Sequence, residues 1–135
     1  MRSRACLLQH HCMLRLVLVE DSRDIRPRML RCLSEIDSVS LLATAESIEE
    51  AEKTIQDLKP DLLLLDLSLP DGHALVHIRR FIALAPDMEV VIHSNDARAS
   101  TRQKCLDAGA HAFFDKSGEL EDLLTFVQER ALFAR

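Results

Sequence analysis

Apolar and polar positions along this chain follow two alternating periods. Five short apolar runs, at residues 15–19, 39–44, 61–65, 89–93 and 110–114, are separated by longer stretches in which apolar residues recur every three or four positions. The leucine-rich and β-branched content of the runs reads as strands. Positions 62–65 are all leucine, the continuity expected of a strand covered on both faces in a parallel sheet. Between the runs, Ile48, Ala51, Ile55 and Leu58 form one helical stripe, with Ser47 and Glu50 spaced as a capping box at its start. Leu75, Ile78, Ile82 and Ala85 repeat the spacing and stop at Pro86. Leu120, Leu123, Val127 and Ala131 give a last helix, with Ser117 expected as its N-cap and Glu119, Glu121 and Asp122 in its first turn. The first helical stripe (Ile25, Met29, Leu33, Ile36) contains Pro27, which a helix tolerates only in its first turn. That helix is therefore expected to begin near residue 26 or 27, leaving 21–25 as a loop. The stretch 97–108 is the weakest, with little beyond Ala97, Cys105, Leu106 and Ala108 as apolar anchors, and thin anchoring predicts mobility.

The resulting order is (βα)5, an α/β chain with no repeat or linker. Strands alternating with helices build a parallel sheet between two helical layers. Right-handed crossovers favour a doubly wound five-stranded sheet of order 2-1-3-4-5, a flavodoxin-like three-layer sandwich. Residues 14–135 are expected to form this one domain, and residues 1–13 a disordered extension. In such sheets ligands bind at the carboxyl ends of the strands, beside the switch point between strands 1 and 3.

Composition narrows the function. The 22 acidic residues outnumber the 17 basic ones, giving a net charge of −5, which argues against direct nucleic-acid binding. Without Trp or Tyr an aromatic platform for stacking bases is not expected. The four cysteines (Cys6, Cys12, Cys32, Cys105) are scattered and suggest no disulfide framework. Cys6, His10, His11 and Cys12 could offer soft metal ligands, but they lack the paired spacing of structural zinc sites, and a plain leader is the preferred reading. Arg2 and Arg4 precede apolar residues as in a signal peptide, yet Gln9, His10 and His11 break any apolar core. No apolar run approaches the ~20 residues that span a bilayer. A cytoplasmic protein without membrane insertion is expected.

Chemistry gathers at the strand ends. The first run closes on Glu20 and Asp21, the third on Asp66, the fourth on Ser94 and the fifth on Lys116. Each has an ordinary alternative, as a cap, a turn residue or a solvated charge. Together, three carboxylates, a hydroxyl and an amine meet on one edge, and carboxylates so placed repel unless a cation holds them. Mg²⁺ suits an all-oxygen site of one or two carboxylates with phosphate oxygen, and Lys116 adds a second positive charge. Such an array stabilises a transferring phosphoryl group, with Asp66 as the nucleophile that forms an acyl phosphate. His93 neighbours Ser94, but strand alternation sends their side chains to opposite faces, so His93 is expected to be packed rather than catalytic. His73, His77 and His111 show no partner in the sequence.

The stretches LVLVEDS, DLLLLDLSLPDG, VVIHS and GAHAFFDKS resemble the receiver domain of bacterial two-component response regulators, over residues 14–132. The resemblance implies Glu20 and Asp21 as the Mg²⁺ pocket, completed by the backbone carbonyl of Ser68, and Asp66 as phosphoacceptor. It implies Ser94 as the switch hydroxyl, Lys116 as the phosphoryl-binding cation and Phe113 as the switch aromatic. It further implies a sensor histidine kinase or histidine phosphotransfer protein as donor, docking near the first helix, and a signalling rather than enzymatic role. The surface of the fourth helix, fifth strand and fifth helix would move, passing the signal to a protein target or forming a homodimer. The chain departs from the family pattern at Ser117, where a proline often follows the lysine, and at Ala74, where glycine is common. It departs again at Asn95, usually a very small residue. Asn95 and Asp96 are expected to tune the lifetime of the phosphoryl group. Other readings are a receiver excised from a longer DNA-binding regulator, a phosphorylation-independent interaction module, and a flavodoxin-like cofactor enzyme. Glu20 and Asp21 weigh against the last by placing negative charge where it would need a phosphate loop.

Overall fold

The computed structural model describes residues 13–134; the expectations for residues 1–12, including the Cys6/His10/His11/Cys12 group, lie outside the described residues. Five strands, β1 (Leu14–Val19), β2 (Val39–Ala45), β3 (Leu62–Leu65), β4 (Glu89–Ser94) and β5 (Ala112–Asp115), alternate with five helices. These are α1 (Ile25–Ser34), α2 (Ile48–Leu58), α3 (Ile78–Leu84), α4 (Ala99–Asp107) and α5 (Leu120–Leu132). All neighbouring strands are parallel, in the order β2-β1-β3-β4-β5, the doubly wound arrangement expected from the sequence.

The leucines of β3 show why the sheet needs two helical layers. Leu63 and Leu65 pack with residues of α2, α3 and α4, including Ile55, Phe81 and Cys105. Leu62 and Leu64 pack on the other side with Met29 and Leu33 of α1 and Leu123 and Val127 of α5. All four are fully buried, and each such side chain contributes on the order of 2 kcal/mol of hydrophobic stabilisation.

Several helix boundaries are set by polar groups that the apolar pattern does not reveal. Helix α1 starts at Ile25, slightly earlier than expected, with the Ser22 hydroxyl accepting from the Ile25 N–H at 3.2 Å. Pro27 stands in the first turn, where its missing N–H costs nothing. At α2, Ser47 accepts from the Glu50 N–H as expected, but the Glu50 carboxylate turns back to the Glu46 N–H, not to that of Ser47. The free N–H groups of Ile48 and Glu49 are taken by the Asp71 carboxylate, at 2.8 and 3.1 Å. Asp71 belongs to a two-residue-per-strand hairpin (Ser68–Leu69 with Gly72–His73) after β3, so the loop beyond Asp66 is tied to α2.

A 3-10 turn, Ala74–His77, precedes α3, and the deeply buried positions are Ala74, Ile78 and Phe81; Leu75 and Ile82 lie at the margin. Behind α3, Gly109 has φ +113°, and a Cβ there would stand 2.7 Å from Ile82 Cδ1, so the turn into β5 requires glycine. Helix α4 is shorter than the expected 97–108, buries only Thr101 and Cys105, and leaves Leu106 39% exposed. Ser117 is not the N-cap of α5. Its N–H and hydroxyl both donate to Asp115 Oδ1, at 2.9 and 2.8 Å, and the helix begins after Glu119. Among the described residues, no helix is long and apolar enough to cross a membrane.

Candidate functional site

Three backbone hydrogen bonds carry the sheet ladder one step beyond the strands and fix the residues at its carboxyl edge. Glu20 N–H donates to Ala45 O (2.9 Å), Asp66 N–H to Val19 O (3.0 Å) and Lys116 N–H to Ser94 O (3.0 Å). The side chains of Glu20, Asp66 and Lys116 are thereby held by rigid strands rather than by loops, and they converge. The Lys116 ammonium lies 2.9 Å from Glu20 Oε1, 3.1 Å from Glu20 Oε2 and 3.1 Å from Asp66 Oδ2. Glu20 is 1% exposed and Asp66 7%. One carboxylate oxygen each from Glu20, Asp21 and Asp66 lie within 4.8 Å of one another.

This cluster is electrostatically incomplete. Three carboxylates face one ammonium, leaving an excess of two negative charges in a largely buried pocket. Burial pushes the Glu20 carboxyl above its ordinary value, the Lys116 hydrogen bond opposes that, and the charge of Asp66 adds to it. A hard divalent cation fits the donor set, which is all oxygen, and matches the missing charge. Asp21 is partly exposed and gives the pocket access from solvent. The Ser68 N–H reaches Asp66 Oδ1 at 3.4 Å, keeping the hairpin segment beside the Asp66 carboxylate.

Ser94 is buried at the end of β4, and its hydroxyl oxygen accepts from the Asp96 N–H at 3.0 Å. The hydroxyl hydrogen remains available for donation to an incoming oxygen. Asn95 is exposed. Asp96 is already engaged: Arg98 contacts both of its carboxylate oxygens at 2.8 Å, and Thr101 donates to it at 3.0 Å. The arginine holds the Asp96 carboxyl well below the usual carboxylate range, so most of its charge is met locally. Phe113 is buried among the residues of the α2–α4 side.

Two functional candidates were not legible in the sequence. The Arg102 guanidinium lies 4.6 Å from the centre of the Phe113 ring, donates to Phe113 O at 3.0 Å and reaches Glu119 Oε1 at 3.4 Å. Arg26 donates to Glu20 O at 3.2 Å and pairs with Glu46 at 3.1 Å. Both contacts join different elements, and no spacing within one helix signals them. His93 is packed, as expected, and 4% exposed. The other histidines do have partners: His111 Nδ1 accepts from the Val90 N–H and His73 Nδ1 from the Leu75 N–H, while His77 stacks on Phe81.

Known proteins resemble this chain in sequence and in fold. The response regulator receiver domain family model matches residues 16–128. A "Response regulator GacA" from Pseudomonas viridiflava is 30% identical over 122 residues, covering 90% of this chain and 56% of that protein; the chain thus spans about half the length of this curated relative. The receiver domain of the putative response regulator NarL from Mycobacterium tuberculosis superposes with a TM-score of 0.81 at 22% identity, covering 91% of this chain and 99% of that one. A response regulator from Burkholderia pseudomallei, solved with a phosphorylated aspartic acid, a calcium ion and citrate, gives a TM-score of 0.74 at 21% identity, covering 87% and 68%.

Proposed function

The chain belongs to the response regulator receiver domain family, and we propose that it is a molecular switch that takes a phosphoryl group onto Asp66. One observation carries the reading: a buried lysine bridges Glu20 and Asp66 while a third carboxylate stands within 4.8 Å. An Asp66 carboxylate oxygen attacks the phosphorus of a phosphohistidine or small phosphodonor. The new P–O bond makes an acyl phosphate, and the bond to the donor breaks with its electron pair leaving on the donor. Lys116 can shift its contact from Asp66 Oδ2 to a phosphoryl oxygen, and Ser94 can donate its hydroxyl hydrogen to another. Glu20, Asp21, Asp66 and the Ser68 carbonyl would hold Mg²⁺, which supplies positive charge for the transferring group.

The donor is proposed to be a sensor histidine kinase or phosphotransfer protein docking near α1. The output is proposed to be a population shift of the α4–β5–α5 surface toward a protein target or a second copy. Signalling rather than turnover of a substrate, in the cytoplasm, completes the reading. Intact-mass measurement after treatment with acetyl phosphate tests it. The expected result is a Mg²⁺-dependent gain of one phosphoryl group in the wild type and none in Asp66→Asn. Equal labelling of the two proteins would refute the assignment.

A further inference from the structure

The carboxylate pocket has two sides, carried by different strands. Glu20 and Asp21 follow β1, and Asp66 and Ser68 follow β3. Such a site suits a small, geometrically demanding cation only if the two sides keep a fixed separation. Strand β1 lies between β2 and β3, so a contact from the end of β2 to the loop beyond β3 spans the strand that leads into Glu20. The structure makes such a contact at residues 46–49, the junction between β2 and α2.

On one side of this junction, Arg26 of α1 donates to Glu20 O at 3.2 Å and pairs with Glu46 at 3.1 Å. On the other, the Asp71 carboxylate accepts from the Ile48 and Glu49 N–H groups at 2.8 and 3.1 Å. The Ile48 N–H is the main cause that holds the Asp71 carboxyl below its ordinary range, as expected of a carboxylate engaged in its charged form. Asp71 stands in the turn of the hairpin whose first strand begins at Ser68. A hairpin with two residues in each strand does not hold its shape alone. Leu67 and Leu69 fasten one end of it in the core beside Ile48, and Asp71 fastens the other. The fit is close, for a Cβ on Gly72 would stand 3.2 Å from Ile48 Cδ1. The junction is itself stiff, since the Ser47 hydroxyl accepts from the Glu50 N–H and the Glu50 carboxylate from the Glu46 N–H.

We propose that residues 46–49 brace the metal pocket, and that Arg26 and Asp71 are positioning residues that raise its affinity for Mg²⁺. Neither belongs to the carboxylate group that would hold the ion. Arg26 ties the Glu20 backbone to the junction, and Asp71 ties the Ser68 segment to it. The inference rests on the proposed metal site. It predicts a sign that charge alone does not give. By Coulomb attraction, removing the positive charge of Arg26 should tighten the binding of a cation, and removing the negative charge of Asp71 should loosen it. A brace gives looser binding in both.

The test is a titration of the full chain with Mg²⁺, following the Asp21 and Ser68 amide resonances by NMR. The expected result is a saturable shift whose apparent affinity falls about three- to tenfold in both Arg26→Gln and Asp71→Asn, less than the loss from removing a direct partner of a metal ligand. Arg28→Gln, on the same helix and without an ion pair among the described residues, should bind Mg²⁺ at least as well as the wild type. By linkage, Mg²⁺ should also slow hydrogen exchange at the Ile48 and Glu49 amides of the wild type, a readout that needs no variant to fold. Four results would each overturn the inference: unchanged or tighter binding in Arg26→Gln, unchanged binding in Asp71→Asn, an equal loss in Arg28→Gln, or unaltered exchange at Ile48 and Glu49. A saturable wild-type shift that ignores both substitutions strikes the brace alone, whereas a wild type without a saturable shift strikes the metal site and the brace with it.

Discussion

Replacing His93 with leucine should stabilise the domain, and the gain should grow as the medium becomes more acidic. His93 is buried with both ring nitrogens unpartnered, and its pKa is lowered from 6.5 to about 4 by burial and then by Lys116, with Asp115 acting in the opposite sense. Between those two values the unfolded chain binds a proton that the folded chain refuses. Stability therefore falls as pH drops through this window, and the loss is complete below about pH 4. Each unit of separation is worth about 1.4 kcal/mol, so the full loss is about 3 kcal/mol, of which about 2 kcal/mol is reached by pH 5. At neutral pH the orphan nitrogens cost a further ~1–3 kcal/mol. Urea unfolding of wild type and His93→Leu at about pH 7.5, 6 and 5 measures the difference directly, because the other titrating groups are common to both proteins. The two stabilities should diverge by about 2 kcal/mol across that range. Parallel curves, or an NMR titration placing His93 near 6.5 in the folded protein, would refute the reasoning.

Lys116→Ala should destabilise the fold by about 3–5 kcal/mol, because it strands Glu20 and Asp66 as buried, uncompensated carboxylates. Thermal melts should show part of that loss recovered by millimolar Mg²⁺, and an absence of recovery would count against a cation site. Arg102→Gln should cost about 1–2 kcal/mol through the lost ring contact and the lost bond to Phe113 O, and Phe113 ring resonances should broaden or shift in NMR spectra. Asn95→Ala should change the decay rate of the Asp66 acyl phosphate without changing how much is formed. Identical decay by mass spectrometry would remove Asn95 from any role in phosphoryl lifetime.

The sheet order and the cluster of Glu20, Asp21, Asp66 and Lys116 were legible because both follow from repeating signals. Four consecutive leucines between polar residues read as a short strand buried on both faces, and a strand's last residue in a parallel sheet falls on the carboxyl edge. What could not be read depends on contacts between elements far apart in the chain. Asp71 caps α2 across 23 positions, which no local motif announces. Ser117 looked like a helix cap because serine ahead of acidic residues usually is one. The competing acceptor, Asp115, captured both of its donors first. Phe81 dominates the buried face of α3 although the apolar spacing runs through Leu75 and Ile82, since the 3-10 turn at Ala74–His77 changes the phase of the helix that follows.

The same distinction bears on why α4 is the element proposed to move. A helix held by apolar burial resists a small electrostatic perturbation, because moving it exposes surface worth several kcal/mol. Helix α4 buries only Thr101 and Cys105, so its position depends mainly on polar contacts at its two sides. Near its start, Asp96 binds Arg98 and Thr101 while its N–H occupies the Ser94 hydroxyl oxygen. Toward β5 and α5, Arg102 joins the Phe113 carbonyl and Glu119. Contacts of this kind, exposed in part to water, are worth on the order of 1 kcal/mol each. Drawing Ser94 toward a phosphoryl oxygen would strain the Ser94–Asp96 bond first, and the paired Asp96 would carry that strain into Arg98 and Thr101. The proposed chemical step at Asp66 would thus be joined to the proposed movement of α4 through a short polar chain, whose energies are small enough for one phosphoryl group to rearrange.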